Sequence, residues 1–280
     1  MTPTQIKETL AGMGRGGANK ALGQHFLLDR SAVQAVADGA HVAMGDRVLE
    51  IGPGLGALTD LLLSRGAKVV AIERDAAFAD FLARRFTDAV VAGQLEIRRA
   101  DAADPAWTSA FGEDGWKLVS NLPYGITSLV FRHALGAARL PSEISVLIQR
   151  EVAERAVARD GDASLLSLLV AFSCSEAKIV RRVPPGAFWP PPKVESSVLR
   201  LVPFSATVRR DKLGMGLERV MAVARAGFAH PRKKLRSNLL EGLRVGPEAV
   251  DAAFVRIGLE PNIRAEAVTP EAWIALAAAL

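Results

Sequence analysis

From Arg47 onward, short apolar runs alternate with stretches whose apolar positions recur at helical intervals. The runs Arg47–Ile51, Lys68–Ile72, Leu95–Arg98, Lys117–Ser120 and Ile144–Ile148 predict strands, as do two later ones near Ala177–Arg181 and Ser196–Val202. Between the early runs, Ala57–Ser64, Ala76–Phe86 and Thr127–Ala138 predict helices. Strand–helix alternation of this kind predicts an α/β fold with a mostly parallel, doubly wound sheet. The Pro-rich link between the last two strands suits an antiparallel edge. After Pro203 the strand pattern stops. Leu213–Phe228, Arg232–Leu240, Pro247–Ile257 and Pro270–Leu280 carry helical spacing, with Gly227, Gly242, Gly246 and Gly258 at or near their ends, which predicts a small C-terminal helical domain. Gly12, Gly14, Gly16 and Gly17 make the first twenty residues read as a mobile arm. The expected division is an arm over 1–20, an α/β domain over 21–204 and a helical domain over 205–280.

Composition narrows the function classes. Half of the 280 residues are hydrophobic, which excludes wholesale disorder, and no apolar run reaches the ~18 residues that a membrane span needs. The single cysteine, Cys174, permits no internal disulfide and no Cys-based zinc or iron–sulfur site, and reads as a small core residue. His25, His41, His133 and His230 are too scattered to predict a metal cluster. The N-terminus has neither the apolar core of a secretory signal nor the arginines of a transit peptide, so the expected setting is cytoplasmic, with no membrane and no metal. Net charge is +5, but unevenly spread: Ala206–Leu240 holds nine basic and two acidic residues, a local +7, and the rest of the chain sums to −2. Scattered arginines on a solvated helical face are common. The tight Arg232-Lys233-Lys234-x-Arg236 cluster favours phosphate contact instead.

Three strand ends carry candidate chemistry. Val48-Leu49-Glu50-Ile51 runs into Gly52-Pro53-Gly54-Leu55-Gly56, where glycines permit a sharp turn and close ligand approach, and the following helix offers free N–H groups. Glu73, at the end of the second strand, is placed to accept hydrogen bonds from ribose hydroxyls. These features describe a nucleoside site without naming the nucleoside. Gly52-x-Gly54-x-x-Ala57 also fits the loose dinucleotide fingerprint of oxidoreductases, and a ligand-free tight turn is the plain alternative. Asp101 closes the next strand, where it suits the exocyclic amine of adenine or, equally, the cap of a helix. The following strand ends in Asn121-Leu122-Pro123-Tyr124: a side-chain carbonyl, a rigid backbone and the only tyrosine of the protein. A simple turn would not need the aromatic ring.

Five segments together resemble the rRNA adenine N6,N6-dimethyltransferase family, most closely its KsgA/RsmA branch. They are Lys20-x-x-Gly23-Gln24-His25-Phe26-Leu27, Leu49-Glu50-Ile51-Gly52-Pro53-Gly54-x-Gly56-x-Leu58-Thr59, Asn121-Leu122-Pro123-Tyr124, Phe188-x-Pro190-x-Pro192-Lys193-Val194-x-Ser196-Ser197-Val198, and a basic run from Phe228 to Leu239 around Arg232-Lys233-Lys234. The resemblance implies a Rossmann-like class I methyltransferase sheet and S-adenosylmethionine as cofactor. The cofactor would lie on Gly52 and Gly54 with Glu73 on its ribose and Asp101 and Ala102 at its adenine. Gln24, His25 and Leu27 would fold over it from the arm. Asn121 and the backbone oxygen of Leu122 would accept the N6 hydrogens of the target adenine, and Pro123 would hold the turn. Tyr124 and Phe188 would stack on the extruded base, each contact returning ~1–3 kcal/mol of the flipping cost. Trp189 and Pro190–Pro192 would be scaffold, and Arg232, Lys233, Lys234 and Arg236 would meet RNA phosphates.

The implied activity is dimethylation of two adjacent adenosines near the 3′ end of small-subunit (16S) rRNA, by a monomer acting on the small subunit or its precursor during subunit biogenesis. An Erm-type enzyme acting on large-subunit rRNA and a non-catalytic RNA-binding assembly factor are the alternatives. Val183-Pro184-Pro185-Gly186-Ala187-Phe188 and Arg264-Ala265-Glu266 look closer to the KsgA-like branch. A dehydrogenase has no use for Asn121-Leu122-Pro123-Tyr124 or for the +7 segment. Two departures from the family pattern stand out: Gly125, where Asn is frequent, and Ala163-Ser164, where Tyr-Gly is usual.

Overall fold

The computed structural model describes residues 1–18, 24–158 and 161–280, so Lys20 and Gly23 of the first motif lie outside the described residues. The chain begins with α1 (Pro3–Gly12), β1 (Phe26–Leu27) and α2 (Arg30–Gly39). The alternating region follows: β2 (Arg47–Ile51), α3 (Ala57–Ser64), β3 (Lys68–Glu73), α4 (Ala76–Arg85), α5 (Thr87–Val91), β4 (Leu95–Arg99), β5 (Lys117–Asn121), α6 (Thr127–Gly136) and β6 (Glu143–Gln149). Next come α7 (Arg150–Ala156), α8 (Leu165–Ser173), β7 (Cys174–Val183), β8 (Phe188–Trp189) and β9 (Ser196–Pro203). The remainder is helical: α9 (Ala206–Leu213), α10 (Leu217–Gly227), α11 (Leu235–Gly242), α12 (Pro247–Ile257) and α13 (Pro270–Ala279).

Seven strands form one sheet in the order β4-β3-β2-β5-β6-β9-β7. Strands β2 to β6 are parallel to their neighbours, and β9 runs antiparallel to β6 with Gln149 opposite Ser196. The inner strands are covered on both faces, so Val69–Glu73 and Leu118–Ser120 are buried without alternation. From β2 the chain winds outward through β3 to β4, then returns to β5 and winds the other way. That reversal opens a crevice at the carboxyl ends of β2 and β5.

The chain divides into two compact units, Met1–Ala153 with Lys178–Pro203 and Glu154–Ala177 with Phe204–Leu280. This differs from a single boundary near 204. Helix α8, whose buried face includes Leu166, Leu168, Leu169 and Phe172, packs on α10 and α13 of the helical unit although it sits between strands in the chain. An apolar helix must bury itself, but its pattern does not say against what. The N-terminal segment also differs from a mobile arm. Thr2 and Gln5 form a capping box, Pro3 occupies the first turn, and Ile6 and Leu10 are buried with Phe26, Leu55 and Phe78. The expected helix Leu213–Phe228 is α10, which starts later, at Leu217, and a further helix that the spacing did not predict, α9, precedes it and ends at Leu213. Among the described residues, no helix is long and apolar enough to cross a membrane.

Candidate active site

A cavity of about 860 Å³ lies at the carboxyl ends of β2, β3, β4 and β5. Gln24, His25, Leu27, Gly52, Gly54, Glu73, Asp101, Ala102, the Asn121–Tyr124 segment and Phe188 all line it. The glycine loop lies against the Asn-Leu-Pro-Tyr turn on one side and β3 on the other. Gly52 sits at φ +67°, and a Cβ there would lie 3.1 Å from the ring of Pro123. The Gly52 N–H donates to the Ile72 carbonyl at 2.9 Å, tying the loop to β3.

Of the four carboxylates that line the cavity, Glu50, Glu73 and Asp101 have different surroundings. Glu50 is 2 % exposed, and burial pushes its pKa up to about 8 even though the Thr59 hydroxyl donates to it at 2.7 Å. Burial also raises Glu73, opposed by backbone N–H groups, among them that of Asp75 at 2.8 Å. Asp101 is exposed and held below the usual carboxylate range by the Ala103 N–H at 2.9 Å, with the Arg74 guanidinium at 3.2 Å adding to the effect. Asp101 therefore closes its own turn while lining the cavity, and the cap of the short helix that follows, Pro105–Ser109, is Asp104 instead. The Ala102 carbonyl accepts the Trp107 indole N–H at 3.0 Å.

At the other end, β5 stops at Asn121 and the Leu122 N–H donates to the Leu147 carbonyl at 3.1 Å, keeping the segment in register to its last residue. A turn closes from Pro123 to Ile126, with Gly125 at φ +97°. Asn is among the few side-chain-bearing residues that tolerate positive φ, so glycine here preserves the turn that the family's asparagine would make. The Tyr124 hydroxyl lies 2.6 Å from Ser196 Oγ, and its ring centroid lies 5.5 Å from that of His25 at 31°. His25 Nδ1 is 2.7 Å from the Pro190 carbonyl, which requires the proton on Nδ1. The ring that meets Tyr124 is therefore His25. Phe188, the other ring expected to stack on the extruded base, also lines the cavity; it is 3 % exposed and packs with Leu27, Val183 and Ala187. The β1–β8 pairing, Leu27 opposite Phe188, draws it inward.

Glu50, Thr59 and Ser196 were not singled out from sequence as site residues. The available signal for Glu50 is an acid within the apolar run Val48–Ile51; Thr59 and Ser196 have only their places in the motifs quoted above.

In the helical unit, Arg232, Lys233 and Lys234 are exposed with Arg236 close behind them on α11, and three of the four already have partners. Lys233 Nζ meets Glu241 at 2.7 Å, Lys234 Nζ donates to Asn262 at 2.6 Å, and Arg236 grips Asp251 through two bonds of 2.5 and 2.8 Å. The buried Asn238 donates to the carbonyls of Gly227 and His230, bracing the loop that carries the cluster. Ala163-Ser164 starts α8: the Ser164 hydroxyl accepts the Ser167 N–H, and the Ala163 N–H donates to Glu266. Among the described residues no group of His, Cys, Asp or Glu is arranged to hold a metal ion.

The sheet order, its antiparallel strand and the cavity at the switch point define a Rossmann-like class I methyltransferase sheet joined to a helical unit. The ribosomal RNA adenine dimethylase family model matches residues 16–280, and the chain belongs to that family. It is 40 % identical over 266 residues to the ribosomal RNA small subunit methyltransferase A of Caulobacter vibrioides, covering 94 % of this chain and 97 % of that one. It is 36 % identical over 270 residues to the protein of the same name from Dehalococcoides mccartyi, covering 96 % and 90 %. Among solved structures, a dimethyladenosine transferase from Plasmodium falciparum has the same fold, with a TM-score of 0.73 at 23 % identity over 90 % of this chain and 96 % of that one. The 23S rRNA methyltransferase ErmE gives 0.64 at 26 % identity over 91 % and 99 %.

Proposed function

We propose that this protein transfers methyl groups from S-adenosylmethionine to N6 of two adjacent adenosines near the 3′ end of small-subunit rRNA, giving N6,N6-dimethyladenosine during subunit biogenesis in the cytoplasm. One observation carries the reading: a single cavity joins the glycine loop and Glu73 to Asn121-Leu122-Pro123-Tyr124. The first set suits a nucleoside cofactor and the second a planar base.

The residues present fit that cofactor. Gly52 and Gly54 leave room for close approach, Glu73 offers a carboxylate to a ribose, and Asp101 with Ala102 borders the adenine position. When bound, S-adenosylmethionine supplies a methyl group activated by its sulfonium. Glu50 faces the same space, and a cationic amino group beside it favours the ionised carboxyl, so binding near neutral pH releases a proton.

The nitrogen of the target adenine is a poor nucleophile because its lone pair is delocalised into the ring. The Asn121 side-chain oxygen and the Leu122 backbone oxygen accept its hydrogens and favour a more tetrahedral, nucleophilic nitrogen. Pro123 holds these two acceptors rigid, and Tyr124 gives the base a flat wall. Positioning and electrostatics then supply the catalysis, with no covalent enzyme intermediate. Arg232, Lys233, Lys234 and Arg236 exchange their exposed partners for RNA phosphates, which gives affinity and salt dependence but little sequence choice. The protein acts as a monomer in this reading.

The choice of small over large subunit rests on relatives at 35–40 % identity that carry the small-subunit name. The likeness to ErmE makes large-subunit rRNA the specific rival. Primer extension on rRNA from a deletion strain tests the choice, because dimethyladenosine stops the polymerase. The expected result is loss of the stop at the small-subunit site; a stop lost only in large-subunit rRNA reverses it.

A further inference from the structure

We propose that Ser196 is a positioning residue of the base pocket: its hydroxyl holds the phenol of Tyr124 so that the ring stands as a fixed wall beside His25. The inference rests on the reading of Tyr124 as the surface that meets the target base. It adds a residue that has no contact with that base and acts through another.

Ser196 is fully buried at the start of β9, where its backbone lies opposite Gln149 of β6. Its side chain is therefore anchored by the sheet. Tyr124 sits in the opposite circumstance, on a turn whose next residue, Gly125, is at φ +97°. A glycine-containing turn has more backbone freedom than a strand, so the ring needs an external tether. The 2.6 Å contact between Tyr124 Oη and Ser196 Oγ is that tether. In the sheet, β6 lies between β5 and β9, so the bond joins the turn just beyond β5 to a strand two places away. A phenol helps to span that gap, whereas the ring of a phenylalanine stops short and carries no donor. The same chain segment serves the second ring. Pro190, six residues before Ser196, accepts from His25 Nδ1 at 2.7 Å, and the His25 and Tyr124 centroids stand 5.5 Å apart. The segment 190–196 thus fixes both aromatic rings of the wall. Ser197, next in the chain, is an internal contrast, since its buried hydroxyl has no partner among the described residues.

The test combines a double-mutant cycle with a spectroscopic readout. Ser196→Ala, Tyr124→Phe, the double variant, Ser196→Thr and the control Ser197→Ala are assayed on under-methylated small subunits, and S-adenosylmethionine affinity is measured by calorimetry. Because Tyr124 is the only tyrosine, its resonance Raman doublet reports the phenol's hydrogen bond directly. Losing one hydrogen bond corresponds to a fall of about fivefold to tenfold in kcat/KM for either single variant. The double variant should be no worse than the singles, Ser196→Thr should recover most of the loss, and cofactor affinity should stay within about twofold. The Raman doublet should change in Ser196→Ala and not in Ser197→Ala. Wild-type activity in Ser196→Ala, multiplicative losses in the double variant, or an unchanged doublet would each overturn the proposal. Should Ser196→Ala fail to fold, Tyr124→Phe alone decides, since wild-type kinetics there removes the tether from the mechanism. Failure of the wild type to methylate small subunits is a failure of the functional reading instead, and leaves the Raman result to judge the tether.

Discussion

Glu50 in the cavity and Arg236 in the basic cluster, at the start of α11, are each one half of a bonded pair, yet their surroundings treat them in opposite ways. Glu50 is buried, and desolvation outweighs the Thr59 hydrogen bond so far that its pKa reaches about 8. Arg236 is solvated, and its bidentate partner Asp251 is held below its ordinary range simply because the guanidinium favours the charged carboxylate. A buried charge is tuned by what it lacks, and an exposed one by what it touches. Salt screens the second far more than the first. In the proposed function the cavity sets the chemistry and the basic cluster sets adhesion to a polyanion. Substitutions in the two regions should therefore fail in different ways.

The sharpest break is Asn121→Ala. Removing an acceptor that acts on the reacting nitrogen should lower kcat by about 10²–10³-fold or more, while calorimetry shows cofactor affinity within about twofold. Joint loss of both would mean that the cavity does not have two separable ends.

The next test uses pH. Glu50 has a folded-state pKa of about 8 against an ordinary value of 4.5, so the native state holds the proton more tightly than the unfolded chain. Its contribution to stability is full below pH 4.5 and is lost as pH rises through about 8. The thermal midpoint of the ligand-free wild type should fall across that window relative to Glu50→Gln. Parallel pH profiles would place Glu50 with the solvated carboxylates.

A smaller effect belongs to the basic cluster. Arg232→Ala should weaken RNA binding several-fold, flatten the slope of log affinity against log salt by about 0.7–0.9, and leave cofactor affinity alone. An unchanged slope would take Arg232 out of phosphate contact. The least effect is expected from Asp251→Asn, which frees Arg236. Its thermal midpoint should barely move and RNA affinity should rise slightly, because an exposed pair contributes little to folding. A midpoint drop of the size seen for core substitutions would show that the cluster is less solvent-like than its exposure indicates.

The sheet was readable in the sequence because covered parallel strands are continuous apolar runs, and six of the seven strands lie within two residues of their expected ends. The seventh, β7, extends three residues earlier, to Cys174, because an edge strand carries mixed polarity. The glycine loop, Glu73 and the Asn-Leu-Pro-Tyr turn were legible for a related reason: each ends a strand on the same side of the sheet. Phe188, legible only through its Pro-rich motif, reaches the same cavity from another segment, on a two-residue strand paired with Leu27. The N-terminal segment misled, since its glycines concealed a capped helix with two buried apolar side chains.

The sequence by itself determined the order of the seven main-sheet strands along the chain, the family, the positions of the glycine-loop and Asn-Leu-Pro-Tyr motifs, and where the positive charge gathers. All of these are local properties of spacing and residue type. Tertiary structure alone decided that His25 lies beside Tyr124, that Ser196 meets the Tyr124 hydroxyl, that Glu50 is buried deeply enough to raise its pKa to about 8, and that α8 belongs with the helical unit. These depend on which distant segments share a contact and on how much water remains between them. Neither quantity is written in the spacing of residues along the chain.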